Sequence, residues 1–239
     1  MSGQKRRLSR CVVLTGAGIS AESGIQTFRD QNGLWENHRI EDVATPEGFA
    51  RDPQLVQTFY NLRRAQLLSP AVQPNPAHLA LAEFEKHFPG EFLLVTQNVD
   101  NLHERAGSQN LRHMHGELLK ARCTHCDSSH DWQLPIELLS ICPRCHRAGS
   151  LRPHIVWFGE MPLYMPEIYD ALSQCDLFVS IGTSGHVYPA AGFVEQARAA
   201  GARTVELNLE PSAGHSFFDE SYQGLASVLI PEFFARITG

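Results

Sequence analysis

The chain has 239 residues, enough for one large domain or for a domain carrying an inserted module. Its 43% hydrophobic and 19% charged residues are ordinary for a globular enzyme, and no apolar run approaches the ~20 residues that span a membrane. A net charge of −6 argues against stable nucleic-acid binding, because phosphate recognition needs a basic surface.

The basic start "MSGQKRRLSR" is followed by an apolar run too short and glycine-broken for a signal-peptide core, and it is too small for a transit peptide. A cytoplasmic location is the expectation. Residues 11–15, "CVVLT", read as a short buried strand, and "GAGISAESGIQTFR" (16–29) then begins like a dinucleotide-binding turn. Gly16, Gly18 and Ala21 fit the G-x-G-x-x-[GA] spacing, in which glycine admits a pyrophosphate close to the backbone and the next helix offers N–H groups. An ordinary tight turn would use the same residues. A dehydrogenase would continue into a second strand ending in an acidic residue about 20 positions on. Instead, "RDQNGLWENHRIEDVATPEG" is polar and irregular. Hydride transfer is therefore the weakest reading of a nucleotide site here.

Residues 38–75 hold a helical stretch, "DPQLVQTFYNLRRAQLL", between loops and prolines. Tyr60 and Arg63 stand three apart on it and share a face, an arrangement suited to gripping a carboxylate or simply to facing solvent. Asn75-Pro76 supplies an N-cap and a first-turn proline for the helix "PAHLALAEFEKHF". The strand "FLLVT" (92–96) gives way to "TQNVDNLHERAG", where Gln97, Asn98 and Asp100 either cap a helix or grip a ribose and a carboxamide. In "RHMHGEL", two histidines at alternate positions face one side if the segment is extended. His115 is then a candidate general base, and a hydrogen-bonded structural histidine is the competing reading.

Four of six cysteines form Cys123-x2-Cys126 and Cys142-x2-Cys145, fifteen residues apart, the spacing of a zinc ribbon. Four protein ligands leave no open position, so the metal is expected to be structural. His125, His130 and His146 are nearby alternatives as ligands. Cys11 and Cys175 read as inert core thiols. Beyond this segment, "LFVSIG" and "TVELNL" are further buried strands. Gly182, Thr183 and Ser184 follow the first, and Asn208 and Glu210 close the second, where they suit a phosphate and a ribose. Between them, Pro189 opens the helix "AAGFVEQARAAG".

The expected architecture is α/β: a Rossmann-like parallel sheet with a small zinc-ribbon and helical lobe inserted. Residues 1–37, 76–119 and 153–239 form the nucleotide domain, 38–75 the helical insertion and 120–152 the zinc-binding insertion. Ligands of such sheets sit at the carboxyl ends of the strands, and clefts between lobes favour substrates.

Taken together, "GAGISAESGI" with "FR", "TQNVDNLHERAG", "HMHGEL", the paired cysteines, "IGTS" and "NLE" resemble the sirtuins, NAD-dependent protein-lysine deacylases, in family order from about Cys11 to the end of the chain. "EDVATPEGF", "FYNLRR", "IVWFGEMP" and "GTSGHVYPAAGF" are similar to the bacterial CobB-type branch and to the mitochondrial member that removes succinyl and malonyl groups. The resemblance implies that NAD is consumed: the acyl-lysine carbonyl oxygen attacks the nicotinamide ribose, nicotinamide leaves, and free lysine and O-acyl-ADP-ribose result. His115 would be the general base, with Asn98 and Asp100 beside it in catalysis. NAD contacts would come from Gly16, Ala17, Gly18, Ser20, Glu22, Ser23, Phe28, Arg29, Trp35, Gln97, Asn98, Val99, Asp100, Gly182, Thr183, Ser184, Asn208, Leu209, Glu210 and Ala226. The stretch after Gly24 would be a mobile loop closing over NAD. Ala44, Tyr60 and Arg63 would receive an acidic acyl group. Val156, Phe158, Gly159, Glu160 and Val187 would meet an acylated peptide added as a strand between the lobes. Acetyl-, succinyl- and malonyl-lysine are the expected partners. Mono-ADP-ribosyl transfer and a non-catalytic, zinc-containing NAD sensor are the competing functions.

Overall fold

The apolar runs of the sequence become neighbouring strands of one parallel sheet. The protein is described here by a computed structural model covering residues 8–26, 34–35 and 38–238. Strand β1 is Arg10–Thr15; a 3₁₀ turn (Ala17–Ser23) follows, then the short β2 (Leu34–Trp35) and β3 (His38–Arg39). Three helices come next: α1 (Ile40–Val43), α2 (Pro46–Arg51) and α3 (Pro53–Leu67). After α4 (Pro76–His87) come β4 (Glu91–Thr96), α5 (Leu102–Ala106), β5 (Leu111–His113), β6 (Gly116–Cys123), β7 (Ser129–Asp131) and β8 (Leu151–Ile155). The chain closes with α6 (Met165–Gln174), β9 (Leu177–Ile181), α7 (Phe193–Ala199), β10 (Arg203–Asn208), β11 (Glu220–Gln223) and α8 (Ala226–Thr238).

The main sheet has the order β11-β10-β9-β1-β4-β5, and every pairing in it is parallel. Its central strands are buried on both sides. Val13, Leu94, Val179 and Val205 pack with Leu81, Phe84, Ile230 and Phe234 of α4 and α8. Val12, Leu14, Val95 and Phe178 pack with Ile168, Leu172, Phe193 and Val194 of α6 and α7. Alternate residues thus feed two cores, which is why these strands read as continuous apolar runs. Three helix starts carry side-chain caps, of which the sequence reading expects the one at Asn75. Thr45 accepts from Gly48 N, Asp52 from Leu55 N and Asn75 from Ala77 N, and a proline follows each of the three.

A second, antiparallel sheet, β7-β6-β8, stands beside the first and spans 116 to 155, around the cysteine pairs. Helix α3 joins it through Phe59, Tyr60, Leu118, Ile155 and Trp157, so the helical and cysteine-bearing segments share a core. No helix among the described residues is long and apolar enough to cross a membrane.

Candidate active site

The carboxyl ends of β1, β4, β9 and β10 are laced together by backbone. Gly16 N donates to Ile181 O, Gly18 N to Gly182 O and Gln97 N to Thr15 O, each at 2.9 Å; Gly182 N donates to Leu207 O at 3.0 Å. A Cβ on Gly16 would lie 2.7 Å from Gly182 O, and one on Gly18 would lie 2.7 Å from the Gly182 Cα. Two strand-end turns therefore touch backbone to backbone, and this contact itself demands glycine. Close approach of a pyrophosphate, the reason read from the spacing alone, is not needed to explain these glycines. The helix expected after the turn is a seven-residue 3₁₀ segment ended by Gly24 at φ 84°, so its dipole is small. Asn208 ties the next two ends together, donating to Thr183 O at 2.7 Å and accepting from Leu209 N at 3.0 Å.

Deeper in the cleft, Ser20 organises a buried polar chain. Asn75 N donates to His78 Nδ1, so the proton of that imidazole sits on Nε2, which reaches Ser20 Oγ at 3.4 Å. Asn98 Nδ2 donates to the same Ser20 oxygen at 3.2 Å and to Gly16 O at 3.1 Å. The Ser20 hydroxyl donates to Asp100 Oδ2 at 3.0 Å, while Asp100 Oδ1 accepts from Leu102 N at 3.1 Å. Asp100 thus holds the first N–H of α5 from just outside the helix, whose N-cap position is Asn101, while its other oxygen is held by Ser20. Burial raises its pKa, against the pull of Leu102 N and the Ser20 hydroxyl. Burial lowers His78 to about 4. His103, against which His78 packs at a 4.9 Å centroid distance, is also lowered, chiefly by burial. Its Nε2 lies 3.0 Å from Thr15 Oγ1, which donates to Thr96 Oγ1 at 2.8 Å, and Thr96 Oγ1 accepts from Asn98 N at 3.0 Å.

The two histidines of "HMH" do not lie on one continuous extended segment: β5 stops at His113, and 114–115 form a turn before Gly116 at φ 84°. His115 Nδ1 donates to Gln97 O at 3.3 Å, which leaves Nε2 as the unprotonated nitrogen. Burial lowers its pKa and the Gln97 carbonyl only partly offsets this, so His115 is neutral at pH 7. His113 makes two bonds, through Nδ1 to Asn98 O at 3.0 Å and through Nε2 to Glu104 Oε1 at 2.7 Å.

On the side of the small lobe, Ala44 O accepts from Phe158 N and His115 O from Val156 N, both at 2.9 Å. The Tyr60 hydroxyl accepts from Trp157 Nε1 at 3.0 Å, and burial raises its pKa. The Arg63 guanidinium lies 3.4 Å over the Phe59 ring, and its Nη1 donates to Phe59 O; its charge pulls Tyr60 the other way. Glu160, read as a peptide contact, makes a bidentate pair with Arg152 at 2.7 and 3.0 Å, and the Arg152 guanidinium stacks 3.3 Å over Trp157. Of the other expected peptide contacts, Gly159 is exposed at φ 90° and Val187 is half-buried.

The remaining expected NAD contacts divide. Glu22 caps α8, accepting from Ser227 N and Oγ at 2.9 and 3.1 Å next to Ala226, and Ser23 accepts from Asn75 Nδ2 at 3.0 Å. Ala17 and Val99 are half-buried at the cleft, while Ser184, Leu209 and Glu210 are exposed at their strand ends. Phe28 and Arg29 lie outside the described residues, as does most of the loop expected to close over NAD; of Trp35, only the backbone pairing with His38 is described.

The cysteine quartet closes on itself, its four sulfurs lying within 4.8 Å of one another. Cys123–Cys145 and Cys126–Cys142 are separated by 3.7 and 3.8 Å, far from a disulfide bond but matching the edge of a tetrahedron with Zn–S bonds of about 2.3 Å. The residues present therefore fit one structural zinc. His130 stands outside the sulfurs, at 3.7 Å from Cys142 Sγ.

Sequence reasoning missed His78, His103, Thr15, Trp157 and Arg152. The available signals were a polar residue inside an apolar pattern, as at His78 three before Leu81, and the spacing of Asn75 to His78.

The sequence matches the Sir2 family over residues 16–189. Relatives named NAD-dependent protein deacylase are 63% identical: one from Salmonella typhimurium covers 94% of this chain and 82% of its own, and one from Vibrio cholerae covers 95% and 92%. A solved Sir2 homolog–NAD complex superposes with a TM-score of 0.87 at 38% identity, covering 96% of this chain and 90% of that one. The chain belongs to the Sir2 family.

Proposed function

We propose that this protein is an NAD-dependent protein-lysine deacylase, acting on acetyl-lysine and on the acidic succinyl- and malonyl-lysine. The observation that carries this is the state of His115. It is neutral, its proton is fixed on Nδ1 by the Gln97 carbonyl, and its basic nitrogen is left for a hydroxyl of the substrate ribose. A protein that merely sensed a nucleotide has no need of such a base.

The remaining roles in this proposal are assigned as follows. Gly16, Gly18, Gly182 and Asn208 hold the strand-end turns where a dinucleotide lies across a parallel sheet. Asn98 and Asp100, fixed through Ser20, orient the nicotinamide ribose, and the neighbouring Gln97 side chain meets the carboxamide. His115 removes a proton from a ribose hydroxyl so that this oxygen can take the acyl group from lysine. Tyr60 and Arg63 receive the carboxylate of a succinyl or malonyl group, and Ala44 leaves room for its length. Zinc bound by Cys123, Cys126, Cys142 and Cys145 staples the small lobe and takes no part in chemistry. The unbridged cysteines suit a reducing compartment such as the cytoplasm.

Purified protein is incubated with matched acetyl- and succinyl-lysine peptides, with and without NAD, while peptide mass and nicotinamide are followed. Loss of either acyl group with NAD alone, abolished in His115→Tyr, is the expected result. Nicotinamide release with a gain of peptide mass would replace this reading with ADP-ribosyl transfer, and no turnover would overturn it.

A further inference from the structure

Three consecutive carbonyls at the end of β4 are held by three consecutive residues. Met114 N donates to Thr96 O at 3.0 Å, the His115 ring to Gln97 O and the His113 ring to Asn98 O. Where the backbone ladder between β4 and β5 stops, two imidazoles continue it. The third of these bonds fixes the residue whose side chain reaches Ser20 and Gly16.

His113 differs from His115 in its second nitrogen. Both partners of His113, a peptide carbonyl and the Glu104 carboxylate, can only accept, so both bonds form together only when the ring carries two protons. Burial opposes that charge, but the hydrogen bond and charge of Glu104 outweigh it, and the pKa is raised. Glu104 and His103 face the ring from α5, Glu117 with its partner Lys120 from β6, and Asp100 from the turn after β4. A ring with one proton must choose between its partners, and the charged acceptor wins over the carbonyl.

We infer that His113 is a positioning residue: held by Glu104, it clamps the Asn98 carbonyl, and the clamp opens when the ring loses a proton. The nicotinamide-ribose end of the site then loosens, so NAD affinity falls as pH rises. The inference rests on the proposed NAD site, but it is read without an acyl peptide.

The test is NAD affinity by calorimetry from about pH 6 to about pH 9 on the full chain. The parent protein should weaken across this range. His113→Leu, which cannot donate to the carbonyl, should weaken binding about tenfold at the acid end, whereas His113→Asn, which can, should stay within about threefold of the parent and show no pH dependence. Glu104→Gln removes the competing acceptor, so its affinity should hold at alkaline pH and exceed that of the parent there. Overturning results are His113→Leu binding like the parent, His113→Asn binding as poorly as His113→Leu, or Glu104→Gln keeping the parent's alkaline loss. Should His113→Leu misfold, Glu104→Gln and the ring-nitrogen NMR shifts of His113, which report whether both nitrogens carry protons, decide alone. A chain that shows these effects but removes no acyl group refutes the deacylase reading and keeps this one, and a parent that does not bind NAD refutes both.

Discussion

The cysteine quartet and the cleft around Ser20 are built in opposite ways. Each pair of cysteines is a local turn, and two turns meet to bring four sulfurs to the spacing that one metal needs. Around Ser20, the partners come from α4 and from the segment after β4: Asn98 and Asp100 are about 80 residues away in sequence, and His78 is 58 away. One site is a staple made of four like groups. The other is a chain of unlike groups in which each hydrogen bond sets the direction of the next. Failure should therefore be local and complete in the first, graded and chemical in the second.

Metal removal makes the largest break. Structural zinc contributes apparent binding free energies of order 10 kcal/mol in small domains. Chelation, or Cys142→Ser, should release one zinc and open the 116–155 segment to protease. The parallel sheet, with its two independent cores, should survive, as limited proteolysis with mass mapping would show. Collapse of the whole chain would mean that the lobes are not separable.

In the cleft, His115→Tyr should remove a factor of at least about 10² to 10⁴ in turnover, the usual worth of a general base, with little change in thermal stability. The acid limb of kcat/KM should fall below pH 6.5, because the folded pKa of His115 is lowered. A limb above that value would show an imidazole that is not buried as described.

The next effect is on stability against pH. His78 is neutral in the fold, with a pKa of about 4, against about 6.5 when unfolded. Its contribution is complete above pH 6.5 and is lost as pH falls towards 4, because the unfolded chain takes up a proton that the fold excludes. The gap corresponds to roughly 3 kcal/mol, and His103 acts in the same direction. Denaturant melts at pH 7 and pH 4.5 measure this, and equal midpoints would refute it.

The smallest effect sharpens selectivity alone. Arg63→Met should lower desuccinylation about tenfold or more while changing deacetylation little, since only an acidic acyl group offers the guanidinium a charged partner. Equal losses would leave Arg63 as a packing residue on Phe59.

The strands Arg10–Thr15, Glu91–Thr96, Leu177–Ile181 and Arg203–Asn208 were legible because strands buried on both faces need uninterrupted apolar runs, and helix Pro76–His87 was legible because Asn75-Pro76 announces it. "HMH" misled in one respect: alternation implies a shared face only in an extended chain, and Gly116 at positive φ turns the segment there. The Glu160 carboxylate's bidentate partner, Arg152, was not legible, since nothing in the sequence marks the two as a pair.

By itself, the sequence determined what depends on neighbours along the chain: strand runs, caps, glycine turns and paired thiols. Tertiary structure alone decided which nitrogen of His115 is basic, that Gly16 and Gly18 touch Gly182, and that His78 and His103 lie buried behind Ser20. The reason is physical. A protonation state or a close approach depends on partners brought together from distant strands and on exclusion of water, and neither is a property of any short stretch of chain.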